Sequence, residues 1–556
     1  MRKKLVILIV FMLLFTTSFS VVASVKNNVI NLRSLNNSSQ TCFLDHWIET
    51  QKILASDGNI DDNFGISVAI DENTILVGSY LDDDSGDASG SVYVFVRSGA
   101  TWTLQTKLHA LDADTHDLFG CSVAIDGDTA LIGALIDEAN GPYSGSAYVF
   151  TRSGTTWTQQ AKLLASDGTS GDEFGNSVSL EGDTALIGAY WDDELGNLSG
   201  SAYVFTRSGT IWTQQAKLLS SDGEAWDRFG ESVCINGDTA LIGAWGDSEN
   251  GPYSGSAYVF TRSGTTWTQQ AKLLASDGET DDIFGYSVSL DYNTALIGSS
   301  ADDDNGPYSG SVYVFTRSGT IWTQQTELYS SDASLGQGFG RSVCLDGDTA
   351  LIGAKHDDDN GQDAGASFVF TRTGATWTQQ EKLLASDGTM QDYFGYSVSL
   401  SGDTALIGAW GNDDYGQNSG SAYVFVKDTE NEPPNKPSIN GPPKGDVGDT
   451  YIYTFVAVDP DSDNIYYEID WGDGVVDDLY GPVGSNVVIQ RSHKWELEGT
   501  FTIKARAIDI YDAIGEWGSL TVTMPCLYNI PFLSFWERLL ERFPHAFPIL
   551  RHLVGY

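Results

Sequence analysis

A phenylalanine–glycine pair recurs at Phe64, Phe119, Phe174, Phe229, Phe284, Phe339 and Phe394, always 55 residues apart. A tryptophan keeps step with it at Trp47, Trp102, Trp157, Trp212, Trp267, Trp322 and Trp377. Such a period means that one supersecondary unit is stacked on copies of itself, because a single unit cannot bury its apolar surface alone. In the third copy the unit reads FGNSVSL, TALIGAY, SAYVFTR and WTQQAKLL, four strand-like runs separated by turn residues. The third run sets Tyr203 and Phe205 on one face and Ala202 and Val204 on the other, so it predicts a strand covered on both sides. The fourth run is more polar and predicts an outer strand.

Four-stranded antiparallel sheets repeated around an axis describe a β-propeller, here with seven blades. The chain ends predict how the ring closes. After the seventh SAYVF (residues 421–425) no WTQQAKLL follows, whereas HWIETQKIL (residues 46–54) precedes the first Phe-Gly and has no sheet of its own. The N-terminal strand is therefore expected to complete the seventh blade and cover an edge that would otherwise invite aggregation. A finer alternation of SGTTW or SGATW copies with SGTIW copies suggests duplication of two-blade units.

Composition limits the partners. The chain has 556 residues, with 75 acidic against 30 basic ones and a net charge of −45, which disfavours nucleic acid and anionic membranes. Arg2, Lys3 and Lys4 precede an apolar run from Leu5 to Phe15 and small residues near Ala23, as in a secretory signal peptide. Five cysteines make no disulfide framework; Cys121, Cys234 and Cys344 fall at packed strand positions, and Cys42 and Cys526 have no spacing that argues for a pair.

At FG-x-SV, ALIGA and GSAYVF the repeats resemble FG-GAP repeats, the units of the integrin α-chain propeller and of many secreted microbial proteins. The resemblance covers residues 44–428 and implies extracellular binding or adhesion by a seven-bladed propeller. Calcium-binding FG-GAP blades carry a DxDxDGxxD loop between the first two strands. Here that place holds only EGD (181–183), NGD (236–238) or DYN (291–293), too short to wrap an ion that needs six to eight oxygens. Hairpin geometry accounts for Gly and Asp there.

The acidic residues concentrate at the other end of the strands. The loops between second and third strands and the crossovers between blades hold more than half of them, against two basic residues, Arg228 and Lys355. Arg97, Arg152, Arg207, Arg262, Arg317, Arg372 and Lys427 mark the opposite end. The acidic crown has two readings: solvation of turns, or calcium sites at Asp82, Asp84, Asp192, Asp302, Asp304, Asp357 and Asp359, where a divalent ion would relieve repulsion. Paired carboxylates also suit glycoside hydrolysis, but an active site breaks a repeat at one place and these acids recur in nearly every blade.

Residues 429–436 read as a proline-containing linker. Beyond it EIDWGDG (468–474), HKW (493–495) and GTFTIKARAID (499–509) resemble a PKD domain, an immunoglobulin-like β-sandwich, over residues 437–525. This implies a spacer or a carbohydrate- or protein-binding module. Asp459, Asp461 and Asp463 fit either a turn or an ion site. FLSFWERLLERF within the tail, residues 526–556, has amphipathic helix spacing and suits packing on the sandwich or cell-surface retention.

The sequence thus predicts an all-β chain: signal peptide (1–24), N-terminal segment (25–43), seven-bladed propeller (44–428), linker, PKD sandwich and a short C-terminal helical tail. The expected role is a secreted or surface-displayed, non-enzymatic binding protein with a monomeric propeller. Its ligand would be an extracellular protein or polysaccharide, with calcium as the one expected cofactor. A structural cell-envelope component and a polysaccharide-degrading enzyme are the alternatives.

Overall fold

The computed structural model describes residues 46–428, 431–511 and 513–525; the expected signal peptide, Cys42, Cys526 and the C-terminal helix lie outside the described residues. All the regular secondary structure described is strand. Residues 46–428 form one compact unit and the sandwich belongs to another.

Blade 3 shows how the repeat folds. Its strands are Val178–Glu181, Thr184–Ala189, Ser201–Ser208 and Ile211–Leu218, hydrogen-bonded in that order. The EGD turn joins Glu181 directly opposite Thr184, so only Gly182 and Asp183 lie outside the ladder. Gly182 has φ 56°, which a side chain resists, and glycine fills the same place in five of the seven turns. Glu72 and Tyr292 adopt positive φ in the other two. The turn is a hairpin turn and not an ion-binding loop.

The first strands of the seven blades neighbour one another around the ring, including the first against the seventh. Phe174 is fully buried between blades, edge-on to Tyr203 at 5.4 Å and to Phe205 at 6.1 Å. It packs in one cluster with Leu131, Val149 and Leu163 of blade 2 and Ile187 and Trp212 of its own blade. Close approach also needs small residues: a Cβ on Gly188 would lie 2.0 Å from the Gly230 carbonyl oxygen of the next blade.

The ring closes as expected. His46–Ile53 pairs antiparallel with Ser421–Asp428, so the seventh sheet takes its outer strand from the N-terminal side. Even the local irregularity is kept. The seventh blade skips Thr50 between Glu49 and Gln51, as blade 3 skips Gln215 between Gln214 and Ala216. Trp47 enters the core between blades 6 and 7 with Leu351, Leu383 and Phe425.

Residues 438–524 form two facing sheets. One contains Ser438–Asn440, Thr450–Val456 and Ile489–Lys494; the other Val476–Val483, Ile465–Asp470, Gly499–Asp509 and Gly518–Met524. Trp471 and Trp495, from the WGDG and HKW motifs, are fully buried between them with Tyr453, Ile503 and Val522. His493 stacks on Trp471 at 4.6 Å and bonds Asp473 at 2.8 Å, which links the two motifs.

Trp47 is 3% exposed and Ile48 beside it 41% exposed. Trp47→Ala is expected to cost about 3–5 kcal/mol of propeller stability, and Ile48→Ala about 0.5 kcal/mol or less. Urea denaturation of the two variants measures both.

Candidate ligand-binding face

At the arginine end the charges are structural. Arg207 donates from Nε to Asp183 of its own blade's turn at 2.6 Å and from Nη1 to Thr129 of the preceding blade at 3.0 Å. Its guanidinium covers Trp212 at 5.1 Å. Arg152, Arg262 and Arg372 repeat this arrangement, and Arg317 finds Asn293 in place of an aspartate. The residue before each turn's middle position also reaches the next blade. The backbone N–H groups of Gly127, Gly182, Gly237, Tyr292, Gly347, Gly402 and Glu72 donate to Asp71, Asp126, Glu181, Asn236, Asp291, Asp346 and Ser401. These bonds run right round the ring.

The acidic end is organised around lysines supplied by the outer strands. Lys217 Nζ lies 2.8 Å from Asp167 in the crossover, 2.9 Å from Asp192 and 3.3 Å from Glu194 in the loop between second and third strands. The Tyr203 hydroxyl donates toward Asp192 at 3.0 Å and Asp167 at 3.1 Å. Burial opposes the charge of Lys217, but its hydrogen bonds to Asp167 and Asp192 outweigh it and hold its pKa above the usual lysine range. Burial likewise raises Asp167, and Lys217 overcomes this to hold it below the usual carboxylate range.

The same construction gives most of the expected calcium ligands another partner. Asp82 and Asp84 lie 2.8 and 2.5 Å from Lys107, and Asp357 and Asp359 lie 2.7 and 2.6 Å from Lys382. With Asp192 on Lys217, five of the seven residues meet an ammonium group of the chain itself. These lysines lie 25 residues beyond the loop aspartates in sequence and return to them only through the strand hairpin, so a count of loop charges does not include them. Asp302 and Asp304 differ. Glu327 stands at the lysine position of blade 5, and Asp302 accepts from Tyr313 at 2.8 Å. In the sandwich, Asp459, Asp461 and Asp463 place carboxylate oxygens within 4.8 Å of one another.

In blades 1 to 5 a second acid faces the loop aspartate. Asp62, Asp117 and Asp227 are buried, and burial raises each to about 6. Backbone N–H groups offset part of this, while Asp82, Asp137 and Asp247 add to it by repulsion. Blades 6 and 7 replace one acid of the pair by an amide: Gln337 donates to Asp357 at 2.6 Å, and Asn412 to Asp392 at 3.2 Å.

Where the inner strands meet at this end, the repeats stop being alike. The position after Phe-Gly is Ile66, Cys121, Asn176, Glu231, Tyr286, Arg341 and Tyr396 in turn. Arg341 is held between two rings, 4.5 Å from Tyr286 and 4.3 Å from Tyr396. A cavity of about 250 Å³ opens there, lined by Tyr286, Tyr308, Arg341, Lys355 and His356. Burial, and then the charge of Arg341, lower Lys355 to about 8. His356 is fixed by Asp363 at 2.7 Å, and Tyr393 stacks on Trp410 at 4.8 Å. Arg228 covers Trp245 at 4.4 Å. In the sequence Arg228 and Lys355 stand out only as exceptions to the acidic count. Departures from the repeat at the position after Phe-Gly were the available signal. Cys121, Cys234 and Cys344 are free thiols, and burial pushes all three up.

Two opposite pH limits follow. Asp62, Asp117 and Asp227, raised from 3.8 to about 6, stabilise the fold below pH 3.8 and lose that contribution as pH rises through 6. Asp57, Asp112, Asp167, Asp222, Asp332 and Asp387, lowered from 3.8, contribute above pH 3.8 and lose it below. The melting temperature in low salt is expected to peak near pH 4, to fall as pH rises from about 4 to 6, and to fall toward pH 3. Replacing Asp62, Asp117 and Asp227 together by Asn should flatten the fall between about pH 4 and 6, read by thermal denaturation. Lys217→Met, which strips three carboxylates of their cation, should cost about 2 kcal/mol, measured in urea.

Comparison with known proteins agrees with this geometry. Residues 47–95, 102–150, 157–205, 212–260, 267–315, 322–370 and 377–425 each match the family described as FG-GAP repeat. No curated protein matches the chain. Among solved structures, the PKD domain of an M14-like peptidase from a Thermoplasmatales archaeon is 47% identical over 17% of this chain and 99% of that one, with a TM-score of 0.17. The CARDB domain of a Pyrococcus furiosus protein is 15% identical over 16% of this chain and 95% of its own, with a TM-score of 0.14. The seven matched segments span more than half of the residues and coincide with the seven blades, and the chain therefore belongs to the FG-GAP repeat family.

Proposed function

We propose that this protein is an extracellular or cell-surface binding protein, and that its propeller takes an anionic sugar of a polysaccharide at the axial mouth. The observation that carries the reading is the pocket of Arg341, Lys355 and His356 among Tyr286 and Tyr308, set in the otherwise acidic end of the ring. Aromatic faces pack against sugar rings, while a guanidinium and an ammonium group pair with carboxylate or sulfate. The surrounding carboxylates repel other anions, so a ligand is admitted by fit at the mouth and not by general attraction. FG-GAP repeats are typical of extracellular or surface proteins, and the family is mostly non-enzymatic. Binding is accordingly preferred to catalysis. The acids of the crown are paired with lysines blade after blade, which supports a structural role for them over a hydrolytic one. Retention at the cell surface through residues 526–556 belongs to the same proposal.

A glycan array probed with the full chain is expected to show retention on uronic-acid or sulfated glycans. Lys355→Gln and His356→Ala should each weaken that binding about tenfold. Wild-type affinity should fall as pH rises through about 8, where Lys355 loses its proton. An array without acidic-glycan binding, or binding indifferent to both substitutions, would leave the structural-envelope reading as the better one.

A further inference from the structure

Blade 5 departs from its sisters at one charged position. In six blades a lysine of the outer strand holds the crossover aspartate: Lys52 on Asp387, Lys107 on Asp57, Lys162 on Asp112, Lys217 on Asp167, Lys272 on Asp222 and Lys382 on Asp332, all between 2.7 and 3.0 Å. The loop acids complete each cluster at up to 3.3 Å. The fold therefore presents the same point, ringed by carboxylates, to a cation six times. The seventh time the strand supplies Glu327 instead, which meets the like charges of Asp302, Asp277 and Asp304. Asp277, Asp304 and Glu327 each bring a carboxylate oxygen within 4.8 Å of the others.

We infer that blade 5 binds one divalent metal ion, calcium, at Asp277, Asp302, Asp304 and Glu327, in the place where six sister blades carry a lysine ammonium. The six lysine clusters are the independent evidence, because equivalent residues in the same backbone setting ligate a cation there. Charge arithmetic agrees. Lys217 with Asp167, Asp192 and Glu194 carries a formal −2, four carboxylates carry −4, and a divalent ion restores −2. The donor set is all carboxylate oxygen, which suits a hard cation and not zinc. Carboxylate oxygens within 4.8 Å of one another can share one calcium ion, with bonds of about 2.4 Å. The site lies at the opposite end of the strands from the hairpin turns and does not depend on the axial ligand.

The test is calcium alone, titrated by calorimetry into chelator-stripped full-length protein. Extracellular modules hold calcium at about 10⁻⁴ to 10⁻³ M, and binding is expected in that range or tighter. Glu327→Lys installs the residue that six blades already accommodate, so it is expected to fold. It should remove one equivalent of bound calcium, raise the melting temperature of the calcium-free protein and abolish the rise that calcium produces in the wild type. Lys217→Glu should add one equivalent. Any ion held by Asp459, Asp461 and Asp463 is present in all three proteins and cancels from the comparison. Absence of binding at 10 mM calcium (about ten times the weakest expected constant), or equal stoichiometry in wild type and Glu327→Lys, would overturn the inference.

Discussion

The ring depends on one packing event repeated seven times, the insertion of the Phe-Gly phenylalanine between adjacent sheets. Phe174 is fully buried against the aromatic residues of its own third strand and the aliphatic residues of the preceding blade. The ring supplies the apolar area that holds two sheets together, while the glycine after it lets the backbones close up. Seven identical wedges impose seven identical rotations, and the ring closes because the last sheet borrows its outer strand from residues 46–53. Closure leaves no exposed end sheet, which matters in a structure built wholly of edges that could otherwise pair with another chain.

Charge is arranged around this frame by pairing at both ends. At one end each arginine holds the hairpin of its own blade and a threonine of the preceding one, so the ion pairs work as clamps between sheets. At the other, lysines anchored on the outer strands reach carboxylates of the crossovers and loops. These lysines are largely covered, and each satisfies two or three acids, so they count for more than exposed surface pairs. A chain of net charge −45 thus carries its own tethered cations where its acids are densest. Buried aspartates such as Asp62 still face a like charge, and blades 6 and 7 relieve this with Gln337 and Asn412.

How much could be read beforehand differs from residue to residue. Phe174, Trp212 and the strand Ser201–Ser208 were legible because period and two-sided hydrophobicity are local properties of the chain. The closing role of Trp47 was legible as well, since a strand missing at one end and surplus at the other is a matter of counting. The partners of Asp82 and Asp192 were not. Lys107 and Lys217 lie in runs that read as polar outer strands, and only the hairpin brings them back over the loop. Nor was the axial pocket, because Tyr286 comes from blade 5 and Arg341 and Lys355 from blade 6, and they meet only where the inner strands converge.

The sequence by itself determined the architecture: seven blades, antiparallel sheets, a turn too short for an ion, and a second unit of sandwich type. The first three follow from periodicity, alternation and turn length, which act between residues a few positions apart or one period apart, and the sandwich from the resemblance of its WGDG and HKW motifs to a PKD domain. The tertiary structure alone decided which charges neutralise one another and which stand against their own kind. Coulomb energy depends on distances of a few ångströms between groups remote in sequence, and a lysine replaced by Glu327 acquires its meaning only once Asp277, Asp302 and Asp304 surround it.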